Sequence, residues 1–445
     1  MTKDPSNEKR DKTIILFNYD WDLREFDKLK KVWPQITAGF DLFSFPSNVR
    51  LIWFDIVRFC SIIIFKAKFN KAKAIVSNHE QFGALCAAMI AEKMNWPGTP
   101  VKAILACQNK LYARQILKAV APQANVEFQK LSARYQEKIN EKIEFPLFAK
   151  PVKAAFSVLA KRIDTYDTLE KHINFSKSEL WIIKHLVNPF EKIFQRYFPN
   201  SESTHSLILE ELIEGDHFCL NGYFYKNEME SIGVVDSIMY PNTNAFMRFE
   251  YPSCLPQERM WEAEGIAKLF LNKIGFSHGM FNMEFIIEKR TKALKVIEFN
   301  PRMASQFADL FERVDGIKMH SMALALAHGL NPKKISKVKP SSCCAASFVF
   351  RMFKENNLNE LFLRKNLKSC LEKFPDILLF NFPKTNKQVK RDLKWIGSYR
   401  YGVIHLGGKD HSDLKCKCKN ASHILGWTAP YVSEFRNDQQ LSQEK

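Results

Sequence analysis

Residues 281–302 read FNMEFIIEKRTKALKVIEFNPR, and no other stretch constrains the fold as strongly. Two apolar, alternating runs flank a short charged loop at Lys289–Ala293, the pattern of an antiparallel hairpin. Setting Glu288 against Leu294 places Glu284 directly opposite Glu298, and alternation then puts Glu284, Glu298 and Asn300 on one face. The other face carries Met283, Phe285, Ile287, Ile297 and Phe299 and is expected to meet a core. Carboxylates that face each other across a sheet destabilise it unless a cation lies between them. Two carboxylates and an amide converging on one spot suit a hard cation such as magnesium. Lys295 falls on the opposite face by parity, which weakens it as their neutralising partner. Arg302, just past Pro301, brings a guanidinium that can stabilise developing negative charge or clamp a carboxylate.

Composition narrows the class. With 445 residues and 46% hydrophobic content, the chain has material for roughly two to four globular domains. The net charge of +18 is spread along the chain without a dense basic block, which argues against a polybasic arm and is compatible with an anionic small substrate such as a nucleotide. The start, MTKDPSNEKRDK, carries no secretory signal. The most membrane-like stretch, LIWFDIVRFCSIIIF at 51–65, is too short to span a bilayer and contains Asp55 and Arg58; a buried or amphipathic helix is expected there. Ten irregularly spaced cysteines suggest neither a disulfide framework nor a zinc site, and a cytoplasmic protein with free thiols is expected. No aromatic-basic motif appears, so neither nucleic acid nor membrane is expected as a partner.

Along the chain, 1–12 reads as a disordered tail. The runs at 13–19 and 73–79 read as buried strands, and EQFGALCAAMIAEKMN as a helix stopped by WPG at 96–98, giving an N-terminal α/β domain over 13–105. QNKLYARQILKAVA reads as a helix and FPLFAKPV as a strand. IDTYDTLEKHI reads as a helix capped by Asp164 or Thr165. SLILEELIEGDHFCLNGYFY reads as two strands around a Gly-Asp turn. An amphipathic helix ending at Gly275 precedes the hairpin, and one helix over 306–329 follows it, stopped by Gly329. A Pro/Lys/Ser linker at 331–342 leads to a C-terminal lobe of mixed strands and helices; no dinucleotide-binding G-x-G-x-x-G occurs in the N-terminal domain.

In this order, the segments resemble the ATP-grasp superfamily, in particular its carboxylate–amine ligases, over about residues 70–330. Glu298, Asn300 and Arg302 with the upstream Glu284 resemble the family's metal and catalytic signature. ACQNKLYARQIL and FPLFAKPVKAAFS resemble its two lysine segments, which implies Lys110 and Lys150 on the nucleotide phosphates, with Ser157 in the phosphate loop. LILEELIEGDHF resembles the hinge that holds adenine. It implies Glu210 as acceptor of the exocyclic amine, Glu211 and Ile213 pairing the ring edge through backbone groups, and His217 at the ribose in place of the usual glutamate. The loop after Lys150 lacks the family's glycines and has Ala154 and Ala155 instead.

The resemblance implies an α/β (α+β) ATP-grasp fold: a doubly wound N-terminal domain, a two-lobed central domain over 106–332 with its lid at about 145–210, and a small C-terminal lobe over 333–445. It implies ATP with Mg2+ or Mn2+, small-molecule carboxylate and amine substrates, a ligase working through an acyl-phosphate, and compatibility with a homodimer. Arg248 and Glu250, in the polar aromatic segment 239–253, are candidates for the substrate's carboxylate and amino group. Bicarbonate-dependent carboxylation, amino-acid ligation onto a protein, and nucleotide sensing without turnover are the alternatives.

Overall fold

The computed structural model describes residues 10–41, 47–153, 159–355, 358 and 360–433. The tail expected over residues 1–12 therefore lies almost wholly outside the described residues. So does Ser157.

Strands β1 (Lys12–Leu16), β2 (Gln35–Ala38) and β3 (Ala72–Val76) form a parallel sheet in the order β2-β1-β3. Ile14, Ile15 and Leu16 are fully buried, as continuous apolar runs in a covered parallel sheet should be. The helix expected after β3 is present as Gly83–Met94, ending at Asn95 in the left-handed region. The apolar stretch 51–65 divides: a 3-10 turn covers Ser47–Trp53, then Asp55 caps a helix over Ile56–Phe69 by accepting from the Arg58 N–H. That helix buries Ile56, Cys60, Ile63 and Ala67 and leaves Ile62, Phe65 and Phe69 exposed, so it is amphipathic. Among the described residues no helix is long and apolar enough to cross a membrane.

A four-stranded antiparallel sheet follows: β4 (Phe128–Lys130), β5 (Leu147–Pro151), β6 (Lys161–Ile163) and β7 (Leu207–Glu211), in the order β4-β7-β5-β6. Thr165, not Asp164, caps the helix Tyr166–Ile173. The long helix Lys177–Tyr197 begins at a Ser176–Glu179 capping box.

The largest sheet has eight strands: β8 (Gly215–Tyr225), β9 (Glu228–Met239), β10 (Phe246–Tyr251), β11 (Gly279–Glu288), β12 (Leu294–Asn300), β13 (Cys344–Met352), β14 (Leu378–Asn381) and β15 (Tyr399–Gly408), in the order β12-β11-β8-β9-β10-β13-β15-β14. Two readings change here. The strands on either side of the Gly-Asp pair do not form a hairpin: β7 ends one sheet and β8 starts another, so residues 212–214 are a crossing between layers. The helix expected over 306–329 is broken into Ala308–Asp315 and Met319–Ala327 by Gly316 at φ +70°, where any Cβ would lie 1.9 Å from the Val338 carbonyl oxygen. Strands β13–β15 continue the sheet that carries the acidic pair.

Candidate functional site

The hairpin β11–β12 pairs Glu284 with Glu298 and Asn282 with Asn300, as its alternation predicts. Its loop end is shifted by one residue: a bulge after Glu284 sets Phe285 against Val296 and Ile287 against Leu294. The core face is consequently Met283, Phe285, Leu294, Val296 and Phe299, while Ile297, expected in the core, moves to the cleft beside Lys110, Lys150 and Glu298. Arg114 explains the bulge. Its Nη1 donates to the Val296 carbonyl at 2.6 Å and its Nη2 to that of Ile297 at 3.1 Å. The same guanidinium binds Glu210 of β7 through Nε at 2.7 Å and Nη2 at 3.1 Å, tying the four-stranded sheet to the hairpin.

On the polar face, the Asn300 amide lies 3.2 Å from Glu284 Oε1, 3.3 Å from Glu298 Oε1 and 3.3 Å from Asn282 Oδ1. Asn282 continues the row to Asn221 of β8 at 3.2 Å. Burial and the charge of Glu298 push the Glu284 carboxyl well up. Burial also opposes ionisation of Glu298, but the Lys110 ammonium holds it well down. Lys110, at the start of the helix Lys110–Val120, donates to Glu298 Oε2 at 2.9 Å. Among the described residues no group of three or more His, Cys, Asp or Glu gathers at one point. The polar set is instead two opposed carboxylates with the Asn300 amide between them, its N–H groups donating to both, and the second carboxylate balanced by one ammonium; turning that amide would present its oxygen. Hard oxygen donors with a surplus of negative charge fit a magnesium-sized cation.

Lys150, ending β5, lies 2.7 Å from Glu210 Oε2. Burial lowers it to about 8 despite that partner. Glu210 therefore departs from its expected role: its buried carboxylate is taken by Arg114 and Lys150, because β5, β7 and the Arg114 helix bring three charged groups together in one dry layer. The Glu211 N–H is donated to the Glu127 carbonyl, and Ile213 lies in the crossing between the sheets. His217 shares the polar face with Glu284, two strand positions from Cys219, and burial lowers its ring to about 4.

Arg302 donates from Nη2 to Glu80 Oε2 at 2.6 Å. Burial disfavours its charge, but Glu80, Tyr19 and Glu284 more than compensate and raise it. Glu80 follows β3 and Tyr19 follows β1; both stand where chains leave the carboxyl ends of parallel strands, the usual place for a binding crevice. Tyr19 stacks on His79 at 4.8 Å between ring centroids. Lys153, also unanticipated, is buried beside Phe190 with Nζ 3.2 Å from Gln108 Oε1, and burial lowers it to about 7. A cavity between the helices 83–94 and 319–327 meets this region at Pro301, Arg302 and Met303 and at Ser77 and Asn78.

Arg248 and Glu250 do not join the site. They pair with each other at 2.6 Å on β10, and Arg248 also meets the Pro430 carbonyl and lies 4.5 Å above the Tyr431 ring. Their neighbours in β10, Phe249 and Tyr251, pack on the face with Cys219 and Met303, so alternation puts Arg248 and Glu250 on the reverse face, away from Glu284.

A family model described as an ATP-grasp domain matches residues 143–309. Solved structures share the fold over nearly the whole chain. An L-amino acid ligase from Bacillus licheniformis is 13% identical, with 94% of this chain and 98% of that chain covered at a TM-score of 0.67. An N5-carboxyaminoimidazole ribonucleotide synthetase, purK, in complex with ADP is 11% identical, with 96% and 99% covered at 0.63. A biotin carboxylase from Campylobacter jejuni is 15% identical, with 93% and 91% covered at 0.60. No curated protein sequence matches at a significant level. The family match bears out the expectation of an ATP-grasp domain, over residues 143–309, and the shared fold bears out the expected α/β architecture.

Proposed function

We propose that this chain, which carries an ATP-grasp domain, is an ATP-dependent ligase that activates a small carboxylate and joins it to an amine. The observation that carries this reading is the pair Glu284 and Glu298, opposed on adjacent strands beside Asn300, with Lys110, Lys150 and Arg302 gathered around them. In the proposed reaction, Lys110 and Lys150 hold the phosphates of ATP as mobile point charges. A magnesium or manganese ion, held by oxygens of Glu284, Glu298 and Asn300, would offset the phosphate charge when bound.

The substrate carboxylate oxygen attacks the γ-phosphorus and ADP leaves, giving an acyl-phosphate. The amine nitrogen then attacks the acyl carbon. The Arg302 guanidinium stabilises the tetrahedral oxyanion, and collapse expels inorganic phosphate as the nitrogen loses its proton. Glu80 positions Arg302 through the ion pair to its Nη2.

The test is phosphate release from Mg-ATP across pools of amino acids, other small acids with amines, and bicarbonate, run beside Glu298→Gln. Wild type is expected to respond to a carboxylate-plus-amine pool. The variant should lose at least about 100-fold, since even outer contacts to metal ligands cost up to that much. Release that needs bicarbonate alone would favour carboxylation, and failure to bind nucleotide would overturn the reading.

A further inference from the structure

Arg400 on β15 lies on the same face of the large sheet as Val403 and the acidic pair, opposite Arg351 of β13. Its guanidinium sits 4.4 Å from the Phe382 ring centroid and 5.6 Å from that of Trp21. No described residue accepts a hydrogen bond from it. The nearby carboxylate of Asp392 is taken by Lys384 at 2.6 Å. Arg351, across the strand pair, donates to the Ser398 hydroxyl and buries its Nε without an acceptor. Two guanidiniums thus stand side by side with the carboxylates of Asp20 and Asp392 in electrostatic reach but, among the described residues, none in hydrogen-bond contact.

Ser237 on this face and segments packed around it hold further buried polar atoms with no partner: Trp21 Nε1, Arg302 Nε, Ser237 Oγ and Ser305 Oγ. The first two can only donate, and the hydroxyls can donate as well. Buried donors are ordinarily paired. Several around one face, beside two guanidiniums that no carboxylate contacts directly, describe a surface short of acceptors. Tyr19 links the two ends of this surface. It packs on Trp21 at 5.5 Å between centroids, and its hydroxyl lies within electrostatic reach of both Arg302 and Arg400.

We propose that Arg400 anchors a second anionic group on the carboxylate substrate, so that the enzyme selects acids bearing two negative groups, one presented beside Arg302 and the other to Arg400 between Trp21 and Phe382. This rests on the ligase reading above. A second carboxylate and a phosphate share the required chemistry. A planar guanidinium held by two rings has little rotamer freedom left to lose, and its fork matches either group.

The test compares paired acids that differ only in the distal charge: L-glutamate with L-glutamine, glutarate with its monoamide, and O-phospho-L-serine with L-serine. Each is titrated with Mg-ADP present and assayed for phosphate release with Mg-ATP and pooled amines. The dianionic member of at least one pair is expected to bind and react in preference to its partner, and the responding pair separates carboxylate from phosphate. Arg400→Gln should then raise KM for that acid by about 10- to 100-fold, the range of one lost charge-assisted pair, and Arg400→Lys should recover part of it. Mg-ADP affinity should stay unchanged in both variants, which also reports that they fold. Equal behaviour within every pair, including no binding at all, overturns the proposal, as does an unchanged KM in Arg400→Gln. Loss of nucleotide binding in wild type would instead overturn the ligase reading.

Discussion

Lys153 has the protonation state most sensitive to a phosphate arriving in the cleft. Burial brings it to about 7, so the free protein at pH 8 holds it mostly neutral, whereas the unfolded chain holds it charged. The folded value lies below the unfolded one, so between about 7 and 10.5 the unfolded state binds more protons and this residue's contribution to stability rises with pH. An anionic phosphate beside it would restore the charge. Binding of Mg-ADP at pH 8 is therefore expected to take up protons, and Lys153→Met should reduce that uptake to the smaller share contributed by Lys150. Calorimetry in two buffers of different ionisation enthalpy measures it, and equal apparent enthalpies in wild type would contradict the assignment. Of the residues that sequence reading placed, Glu284, Glu298 and Asn300 sit on strands whose alternation fixes their direction, whereas Lys110 and Lys150 came through the resemblance and Arg302 lies just beyond a strand end. Those it missed work through distant partners: Arg114 meets Glu210 from 96 positions away, and Arg302 meets Glu80 from 222. No local pattern announces such pairs. Glu80 and Tyr19 did leave a signal, since both follow strands of a parallel sheet.

Single elements show how a small irregularity decides a site. The alternation of β12 was legible, yet the bulge was not, because Arg114 on another element holds the two carbonyls that it turns outward. The helix break at Gly316 was likewise hidden, since the Val338 carbonyl that closes on it comes from the following linker. The loop after β3 offers the sharpest test at this scale. A Cβ at Gly83 would stand 2.2 Å from Ser77 Oγ and 2.8 Å from His79 Cβ, in the loop that carries Glu80. Gly83→Ala should destabilise the fold by about 1–3 kcal/mol, as overpacking does. It should lower turnover more than Mg-ADP affinity, because the displaced group positions Arg302 and not the nucleotide lysines. Thermal denaturation and nucleotide titration check both parts, and unchanged turnover would contradict Glu80's role.

At the scale of the whole molecule, three sheets meet around one cleft. The loops after the parallel sheet supply Tyr19 and Glu80, the four-stranded sheet Lys150 and Glu210, and the eight-stranded sheet Glu284, Glu298, Asn300 and Arg400. The order of segments made the first two layers legible. The third was legible only in part, because membership of β13–β15 in the same sheet depends on pairing across about 100 residues. That long-range pairing is what brings Arg400 onto the face of the acidic pair. The central claim is that this cleft converts a carboxylate and ATP into an acyl-phosphate before any amine arrives. Positional isotope exchange tests it directly, using ATP labelled with 18O at the γ-phosphoryl oxygens and the βγ bridge, with Mg2+, the carboxylate pools above and no amine. Wild type is expected to scramble bridge label into the β-nonbridging positions with at least one pool, and Glu298→Gln is expected not to. Bound nucleotide with no scrambling in any pool, although adding amine releases phosphate, would contradict a freely reversible acyl-phosphate and with it this account of the site.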